Sequence, residues 1–519
     1  MAPSIVYLPD GQSFTVQPVF SGLFFKSNEL NNHQAPFPAG WTVVLHSEDN
    51  PEDHLHNLTL EDDANESRSR KSHIHKYSKP TLQNDTIFIS SISNPSSSEY
   101  KPHASQSRQI AMMLWVSLYW YFQQPEPSPY VETEQSKYAP PDAKPRGDWR
   151  IRIKRDGVLR TRNMIPKLER MGLITSLDSA VGESSSENNR GWDRMFVTRR
   201  MFWQIHCGLF LFTLQPVKHN SSYPGSPNNS RPTSPVRSDS SHLASLSNHL
   251  TPETPGSPIG PYYSSSHLPT YYPPAPLQYI ITNNVRHPLR QKPPHMGEVF
   301  YTRFVPSVGK YLSFRVASLS PKPVPCTSPV GPNERESTHL NTLSDCSLLQ
   351  MWLANPRVSA FWGGYQPNFL SNALQSRHSF PAIAMWDGVP FGYFEIYWVK
   401  EDTLGRYMGN DAQDFDRGVH VLIGEEWARG KVQQWLSSLI QWCWQADYRT
   451  MNIYLEPRVD NTKWVKSRHP ILRLVLMSIY RFIHHLQTAG FSKEREISFP
   501  HKRAWLCHLR RDAWDGPAM

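Results

Sequence analysis

One segment near the C-terminus constrains the fold of this chain more than any other part of the sequence. Residues 417–423 are an apolar run that contains a single histidine, His420, and this run predicts a buried strand. Residues 431–446 have the apolar spacing of a long helix, and residues 451–456 are a second apolar run. Strand, helix and strand in this order predict a βαβ unit whose two strands are parallel.

The turn between the first strand and the helix is suited to binding an anion. It contains Arg429, Gly430 and Lys431, and the N–H groups at the start of a helix can bind a pyrophosphate. Together with a titratable histidine on the preceding strand, this turn predicts group transfer from a phosphate-bearing carrier. Each feature alone has an ordinary explanation, because a glycine before a helix is common turn chemistry and a lone histidine in an apolar strand is usually a core residue.

The length of the chain predicts more than one folded unit. At 519 residues it exceeds the size of a single hydrophobic core, which favours two domains and a linker. Lys and Arg outnumber Asp and Glu by 54 to 45, and the net charge of +9 favours anionic partners. The excess is diffuse, however. In residues 150–155, for example, basic and apolar residues alternate as in a strand, so nucleic-acid binding is not predicted.

Cysteine usage and the apolar runs indicate the compartment. The five cysteines are odd in number and far apart, so they predict neither a disulfide framework nor a metal site, and they fit a reducing compartment. The most apolar run, residues 201–214, is too short to span a bilayer. The N-terminus lacks the features of a signal peptide, and residues 516–519 are not a peroxisomal tripeptide. A cytoplasmic protein without a membrane partner is therefore expected.

The chain divides at a segment rich in Ser, Pro, Asn and Gly. Residues 216–280 cannot bury enough apolar surface to offset the entropy lost on ordering, which predicts a disordered linker. Residues 1–215 predict an α+β domain with strands at 14–20 and 40–46 and a buried helix at 107–122. This half contains no evident catalytic group of residues.

The C-terminal part, residues 288–512, predicts a mixed sheet with helices, an α/β (α+β) fold. A helix at 343–353 precedes a β-hairpin whose turn is at residues 387–388. The βαβ unit follows the hairpin. A helix at 471–489 and a final strand at 503–509 complete the order.

This order of elements, with the residues in it, resembles the GNAT acyltransferase superfamily. The likeness rests on four segments, which are Met351 to Gly363, Gly392 to Trp398, Arg417 to His420 and Tyr454 to Asn461. They are similar to motifs of the aerobactin-type hydroxylysine acetyltransferases and the mycobactin lysine acyltransferase. Above all they resemble the fungal N5-hydroxyornithine acyltransferases of hydroxamate siderophore synthesis. The likeness covers residues 290–510, and for residues 1–215 it implies a degenerate second GNAT-like domain.

One position departs from the pattern of the superfamily. Its pyrophosphate turn usually has two glycines two residues apart, whereas here Gly430 is followed two residues later by Val432. Val432 still offers an N–H group, but its side chain adds bulk where close approach of the backbone is wanted. This departure bears on how the turn binds the pyrophosphate of the cofactor, and it does not affect the predicted fold.

The resemblance implies transfer of an acetyl group from acetyl-CoA, or of another acyl group from its CoA ester, to the hydroxylamino nitrogen of N5-hydroxyornithine. No metal is implied. The implied catalytic pair is His420 with either Glu456 or Asp460, which spacing alone does not separate. With a reference pKa of about 6.5, His420 is expected to accept the proton near neutrality.

The other implied site residues form two groups. Contacts to the acyl-CoA, including N–H groups that stabilise the oxyanion, are expected from Leu422, Gly424, Arg429, Gly430, Lys431 and Asn461. Contacts to the acceptor or the acyl group are expected from Trp362, Tyr393, Glu395, Trp398, Lys502 and Arg503. Both groups require that the two parallel strands separate near residue 420, so that a pantetheine arm fits between them.

Three alternatives are left open by the sequence. The donor is a bulkier one such as anhydromevalonyl-CoA, the acceptor is another amine such as an antibiotic, or the domain is a catalytically inactive scaffold. The absence of a peroxisomal tripeptide favours acetyl transfer, because the bulky-donor fungal enzymes tend to be peroxisomal. Retention of His420 with Asp460 and Asn461 argues against an inactive scaffold. The sequence does not determine the oligomeric state, a homodimer included.

Overall fold

The computed structural model describes most of both halves of the chain. The described residues are 4–20, 22–29, 37–48, 74–93, 105–131, 136, 138–140, 143–161, 164–177, 195–211, 277–459 and 481–519. Most of the predicted linker therefore lies outside the described residues, and so do Asp460 and Asn461. Within the described ranges, no helix is both long and apolar enough to cross a bilayer.

Eight strands of the N-terminal half form one sheet. They are β1 (Ser4–Tyr7), β2 (Ser13–Val19), β3 (Gly22–Ser27), β4 (Gly40–Glu48), β5 (Ile74–Lys76), β6 (Asp85–Ser93), β7 (Arg150–Ile153) and β8 (Phe196–Thr198). Their order is β1-β2-β3-β4-β6-β7-β8, with β5 paired to β4. Neighbours are antiparallel except β6 and β7, which are parallel.

The parallel pair needs a crossover, and helix α1 (Gln106–Tyr121) lies in it. The hydroxyl of Ser105 caps the helix by accepting a hydrogen bond from the N–H of Arg108. Thirteen of its 16 residues are buried, as expected for a helix that is apolar on every side. The prediction of a buried helix here is confirmed. Shorter helices in this half are α2 (Met164–Arg170), α3 (Arg199–Gln204) and α4 (Gly208–Leu211).

The C-terminal half begins with a small hairpin and continues into a second eight-stranded sheet. The hairpin consists of β9 (Tyr279–Thr282) and β10 (Val285–Pro288). The sheet consists of β11 (Val299–Val305), β12 (Lys310–Val316), β13 (Ser379–Trp386), β14 (Val389–Trp398), β15 (Arg417–Ile423), β16 (Asn452–Leu455), β17 (Ser492–Ser498) and β18 (Arg503–Arg510). Its order is β11-β12-β13-β14-β15-β16-β18-β17, and β15 and β16 are the parallel pair.

The helices of this half flank the sheet. They are α5 (Asp345–Ala354), α6 (Pro356–Trp362), α7 (Phe369–Gln375), α8 (Thr403–Met408) and α9 (Val432–Ala446), and residues 481–488 are also helical. The predicted hairpin is confirmed as β13 and β14, whose turn residues Asp387 and Gly388 both have positive φ, at 47° and 78°. The predicted βαβ unit is confirmed as β15, α9 and β16.

The two sheets share a topology. In each, antiparallel strands lead to a strand, a buried helix and a parallel strand, and the next strand pairs antiparallel with that last one. The N-terminal elements are β6, α1, β7 and β8, and the C-terminal elements are β15, α9, β16 and β18. This repetition is what a degenerate second copy of the C-terminal fold predicts.

The two halves pack against each other. One hydrophobic cluster contains buried residues of both halves, and hydrogen bonds cross between them. The Tyr311 hydroxyl donates to the Leu8 carbonyl at 2.9 Å, and the Gln441 amide donates to the Trp203 carbonyl at 2.8 Å. The boundaries 1–215 and 288–512 stay predictions, because a shared cluster does not mark where one folding unit ends.

Some elements differ from the sequence predictions. Strand β9 begins at Tyr279, so it includes the last two residues of the predicted linker. Strand β17 was not predicted, because six of its seven residues are exposed and it lacks apolar alternation. Strands β11 and β12 were also not predicted. The helix predicted at 471–489 is present at residues 481–488, and its first part lies outside the described residues.

A buried ion pair attaches α5 to the sheet and provides a test of the fold. The Arg315 guanidinium donates to both carboxylate oxygens of Asp345, at 2.6 and 2.5 Å, and the two side chains are 4% and 0% exposed. Substitution Asp345→Ala leaves the guanidinium buried and uncompensated, so it should lower the free energy of unfolding by about 3–5 kcal/mol. The measurement is urea unfolding followed by circular dichroism.

The matched control is Asp512→Ala. Asp512 pairs with Arg510, but their side chains are 59% and 65% exposed, so its loss should cost less than about 1 kcal/mol. Equal losses in the two variants would contradict this assignment of the Arg315 pair.

Candidate active site

His420 lies on one face of the C-terminal sheet, in the middle of β15. It pairs directly with Glu395 of β14. Because alternate residues of a strand share a face, Tyr393 and Tyr397 of β14 lie on the same face as Glu395 and His420. The His420 side chain is 27% exposed, which makes it accessible to a ligand.

The imidazole of His420 lies between two carboxylates. Its Nε2 is 2.7 Å from Oε1 of Glu456, and its Nδ1 is 3.1 Å from Oε2 of Glu395. Glu456 is the first residue after β16, so it reaches His420 from the neighbouring strand. Of the two acidic residues that spacing left open, Glu456 contacts the histidine, and Asp460 lies outside the described residues.

Two further side chains hold Glu456. The Tyr397 hydroxyl donates to its Oε2 at 2.9 Å, and the ammonium of Lys502 lies 3.5 Å from its Oε1. Tyr397 passes over Gly418, where a Cβ would be 2.1 Å from the tyrosine ring. Gly418 therefore makes room for the tyrosine that reaches the catalytic candidate. Tyr397 was not predicted from the sequence, although its alternation with Tyr393 and Glu395 places all three on the same face of one strand.

The carboxylates determine the charge of the histidine. Burial alone lowers the pKa of the imidazole, but the charges and hydrogen bonds of Glu456 and Glu395 outweigh it and raise the pKa to about 10. Burial raises the pKa of Glu456, whereas His420, Lys502 and the Tyr397 hydroxyl together lower it to about 2. At neutral pH the pair is an imidazolium and a carboxylate, so the reference pKa near 6.5 does not apply to His420.

The two parallel strands separate beside His420. Pairing between β15 and β16 is limited to Arg417 with Ile453 and Gly418 with Tyr454. Beyond that point β15 stays paired to β14, and β16 stays paired to β18. The predicted separation near residue 420 is confirmed. The ion pair between His420 and Glu456 spans the beginning of the gap.

The backbone of β15 offers polar groups to this gap. The N–H of Gly424 donates to the Phe391 carbonyl at 3.0 Å, so this predicted acyl-CoA contact is already used within the sheet. The Leu422 carbonyl lies close to Gly392 of β14, and the Leu422 side chain is buried. Since successive residues face opposite edges of a strand, Val421 and Ile423 present their N–H and C=O groups to the open edge.

The indole of Trp362 covers this edge. Its N–H donates to the Val421 carbonyl at 3.2 Å, and its ring lies 6.3 Å from the His420 ring and 5.8 Å from the Tyr393 ring. Trp362 is the last residue of α6, which thus lies over the His420 face of the sheet. Trp362, Tyr393 and Glu395 therefore all lie beside His420.

The turn before α9 has the features of an anion site. The helix has no acidic residue in its first turn and no side-chain cap. Arg429 and Lys431 flank Gly430, and burial lowers the pKa of both basic side chains, with help from Arg357 and Lys310 respectively. A Cβ at Gly430 would meet nothing within 4 Å, so its surface is open to a ligand.

Two predicted substrate contacts, Trp398 and Arg503, have other partners in the structure. Trp398 is on the opposite face of β14 from Glu395, where it stacks with Arg290 and Arg417 at 4.5 and 3.9 Å. Arg503 lies on β18 and forms an ion pair with Glu496 of β17. Both assignments as substrate contacts stay predictions, since a linear motif does not show which face of a strand a side chain takes. Lys502, by contrast, lies at the site.

The corresponding gap of the N-terminal sheet is filled. After β7 the N–H of Lys154 donates to the Ile87 carbonyl of β6 at 3.0 Å. The chain then turns at Gly157, whose φ is +57° and where a Cβ would be 2.2 Å from the Ile89 carbonyl. Residues 154–160 therefore occupy the edge of β6 that would face a pantetheine arm. This packing explains why the catalytic candidates lie in the C-terminal half.

Comparisons with known proteins agree with this geometry. The model of the acetyltransferase (GNAT) domain family matches residues 341–469. The N5-hydroxyornithine acetylase sidL of Beauveria bassiana (strain ARSEF 2860) is 52% identical, over 97% of this chain and 100% of that protein. The N(5)-hydroxyornithine:cis-anhydromevalonyl coenzyme A-N(5)-transacylase SIDF of the same fungus is 31% identical over 49% of this chain and 54% of its own length. The N(6)-hydroxylysine O-acetyltransferase of Escherichia coli is 33% identical over 41% and 56%.

The charge of His420 can be measured directly. We expect the imidazole to stay protonated through neutral pH, with a titration midpoint well above its reference pKa of about 6.5. Substitution Glu456→Gln removes one negative partner and should move the midpoint down toward that reference. The measurement is an NMR titration of histidine-labelled protein, with the His420 signal assigned by its loss in His420→Gln. A wild-type midpoint near 6.5 would contradict the assignment of His420 as an imidazolium held between Glu395 and Glu456.

Proposed function

This chain belongs to the N5-hydroxyornithine acetylase family of GNAT acyltransferases, and we propose that it transfers an acetyl group from acetyl-CoA to the hydroxylamino nitrogen of N5-hydroxyornithine. The observation that carries the proposal is the position of the His420 and Glu456 pair at the start of the gap between β15 and β16. A thioester in that gap would present its carbonyl carbon beside the titratable groups.

The same half offers groups for each part of the donor. The N-terminus of α9, with Arg429 and Lys431, is suited to the pyrophosphate of CoA. The open edge of β15 offers the N–H groups of Val421 and Ile423 to the carbonyls of a pantetheine arm, since the two carbonyls accept from Trp362 and Arg429. In this proposal the N–H of one of these residues also stabilises the oxyanion that forms during attack.

The chemistry requires the transfer of one proton. The neutral hydroxylamino nitrogen attacks the thioester carbon, and the resulting tetrahedral adduct carries a positive nitrogen that must lose a proton. The carboxylates and the imidazole of the His420 cluster are the proton-transfer groups of the site. The CoA thiolate leaves with little help, because a thiol has a pKa of about 8.5 by analogy with cysteine. Positioning of the two substrates then supplies much of the acceleration.

The choice of acetyl-CoA over a bulkier donor rests on the relatives. The acetylase matches nearly the whole chain, whereas the anhydromevalonyl transacylase matches about half. An inactive scaffold is disfavoured, because Glu395, Tyr397, Glu456 and Lys502 surround His420 in a connected hydrogen-bonded cluster. A part in iron acquisition in the cytoplasm belongs to the same proposal. The five free cysteines fit such a reducing compartment.

Substrate choice provides the direct test. Purified protein is incubated with N5-hydroxyornithine and, separately, acetyl-CoA, anhydromevalonyl-CoA and other acyl-CoA esters, and free CoA and product mass are followed. We expect fastest CoA release with acetyl-CoA and an acetylated hydroxylamine as the product. Plain ornithine should react far more slowly, because its side-chain amine is protonated at neutral pH. Equal use of ornithine and N5-hydroxyornithine would contradict the proposal.

The anion site at α9 predicts a separate effect on the donor. Substitution Gly430→Glu places a negative charge at the helix N-terminus, so it should raise KM for acetyl-CoA by about tenfold or more and change kcat little. Gly430→Ala is the matched control, because it adds a Cβ in open space without a charge. A Gly430→Glu enzyme with an unchanged KM would place the pyrophosphate elsewhere.

A further inference from the structure

Both ring nitrogens of His420 are occupied by carboxylates of the protein. Nε2 faces Glu456 and Nδ1 faces Glu395, at 2.7 and 3.1 Å. Both contacts are satisfied when the ring carries two N–H groups, as an imidazolium does. If the ring lost one proton, a nitrogen lone pair would face a carboxylate. The ring therefore presents no free nitrogen to an incoming substrate in this arrangement.

The two carboxylates are held differently. Glu456 is 4% exposed, and its oxygens are contacted by His420, Tyr397 and Lys502. Glu395 is 22% exposed. One of its oxygens is paired with His420 and the other accepts from the Tyr393 hydroxyl at 2.8 Å.

Each Glu395 oxygen thus keeps a lone pair for a further donor, because a carboxylate oxygen can accept two hydrogen bonds. Glu395 and His420 pair directly on one face of the sheet, and the Trp362 ring lies 6.3 Å from the His420 ring on that face. A ligand that reaches His420 from that side also reaches the carboxylate of Glu395.

We propose that Glu395 is the catalytic base, which takes the proton from the attacking hydroxylamino nitrogen, and that His420 and Glu456 form a fixed ion pair that positions it. This inference rests on the proposed function. It changes the role of His420 from proton acceptor to positioning residue, and that of Glu395 from substrate contact to catalytic residue.

The step balances without any further reactant. A C–N bond forms between the acyl carbon and the hydroxylamino nitrogen, and the C–S bond breaks with its electron pair staying on sulfur. The nitrogen proton moves to a Glu395 oxygen. Glu395 then passes the proton to the CoA thiolate or to water, which restores the carboxylate for the next turnover.

The pH dependence of kcat distinguishes this base from His420. The titratable and charged groups that face Glu395 among the described residues are Tyr393, His420 and, one contact further, Glu456, Tyr397 and Lys502. If His420 were the base, it would have to lose a proton held with a pKa of about 10, so kcat would rise with pH between about 7 and 9. With Glu395 as the base, kcat should be flat over that interval.

Substitution of Glu395 tests the same point. Glu395→Gln keeps the shape and one of the two acceptor oxygens but cannot take a proton, so kcat should fall by about 100-fold or more while KM for acetyl-CoA stays within about twofold. In Glu395→Ala, added formate should restore part of the activity, because it supplies a carboxylate to the vacated space.

The matched control is Glu494→Gln. Glu494 contacts Nδ1 of His508 at 2.7 Å on β17 and β18, so it repeats the chemical change at a histidine away from the gap, and its kcat should be unchanged. Circular dichroism of each variant confirms folding. An active wild-type enzyme with a nearly unchanged kcat in folded Glu395→Gln would overturn this inference alone. A wild-type protein that releases no CoA with N5-hydroxyornithine would overturn the proposed function.

Discussion

The ion pair between His420 and Glu456 is the interaction on which the site depends, because it joins two strands at the point where they separate. Strand β15 continues along β14, whereas β16 continues along β18, and the 2.7 Å contact crosses between them. Such a pair is costly to bury, and it persists only when its remaining polar atoms are satisfied. Here Glu395 contacts the second nitrogen of the imidazole, and Tyr397 and Lys502 contact the oxygens of Glu456. The groups that stabilise the gap are therefore the groups that face a substrate in it.

The sequence contained the fold of the C-terminal half but only part of its site. Apolar periodicity located β15, α9 and β16, because each has one dominant pattern and clear ends. The contact of Glu456 with His420 depends on where β16 ends, and the position of Trp398 on the other face depends on the pairing of Glu395 with His420. Both depend on register between segments far apart in the chain, which linear spacing does not contain. The pKa of His420 was missed for the same reason, since its cause is two carboxylates from other strands.

The N-terminal half contacts the helix that follows the His420 strand. Helix α9 begins at the turn that is proposed to bind the pyrophosphate, and further along it Gln441 and Gln445 both donate to the Trp203 carbonyl of the N-terminal half. The same helix is buried along most of its length. The N-terminal sheet repeats the strand, buried helix and parallel strand, but residues 154–160 pack along β6 where the C-terminal strands separate. Its half contacts α9 through Trp203 of helix α3.

The charge of the cluster favours a hydroxylamine over an alkylamine. Among the described groups, two carboxylates face one imidazolium and one ammonium, which is a balanced set. A neutral hydroxylamino nitrogen enters without changing that balance, and only the proton released during attack has to be accepted. A side-chain amine such as that of ornithine arrives as an ammonium, with a pKa near 10 by analogy with lysine. It would have to lose one proton before attack and a second one after it. Among the described residues, Glu395 is the more exposed of the two carboxylates at His420, and one carboxylate beside a fixed ion pair can take the proton in the first case but not both protons in the second.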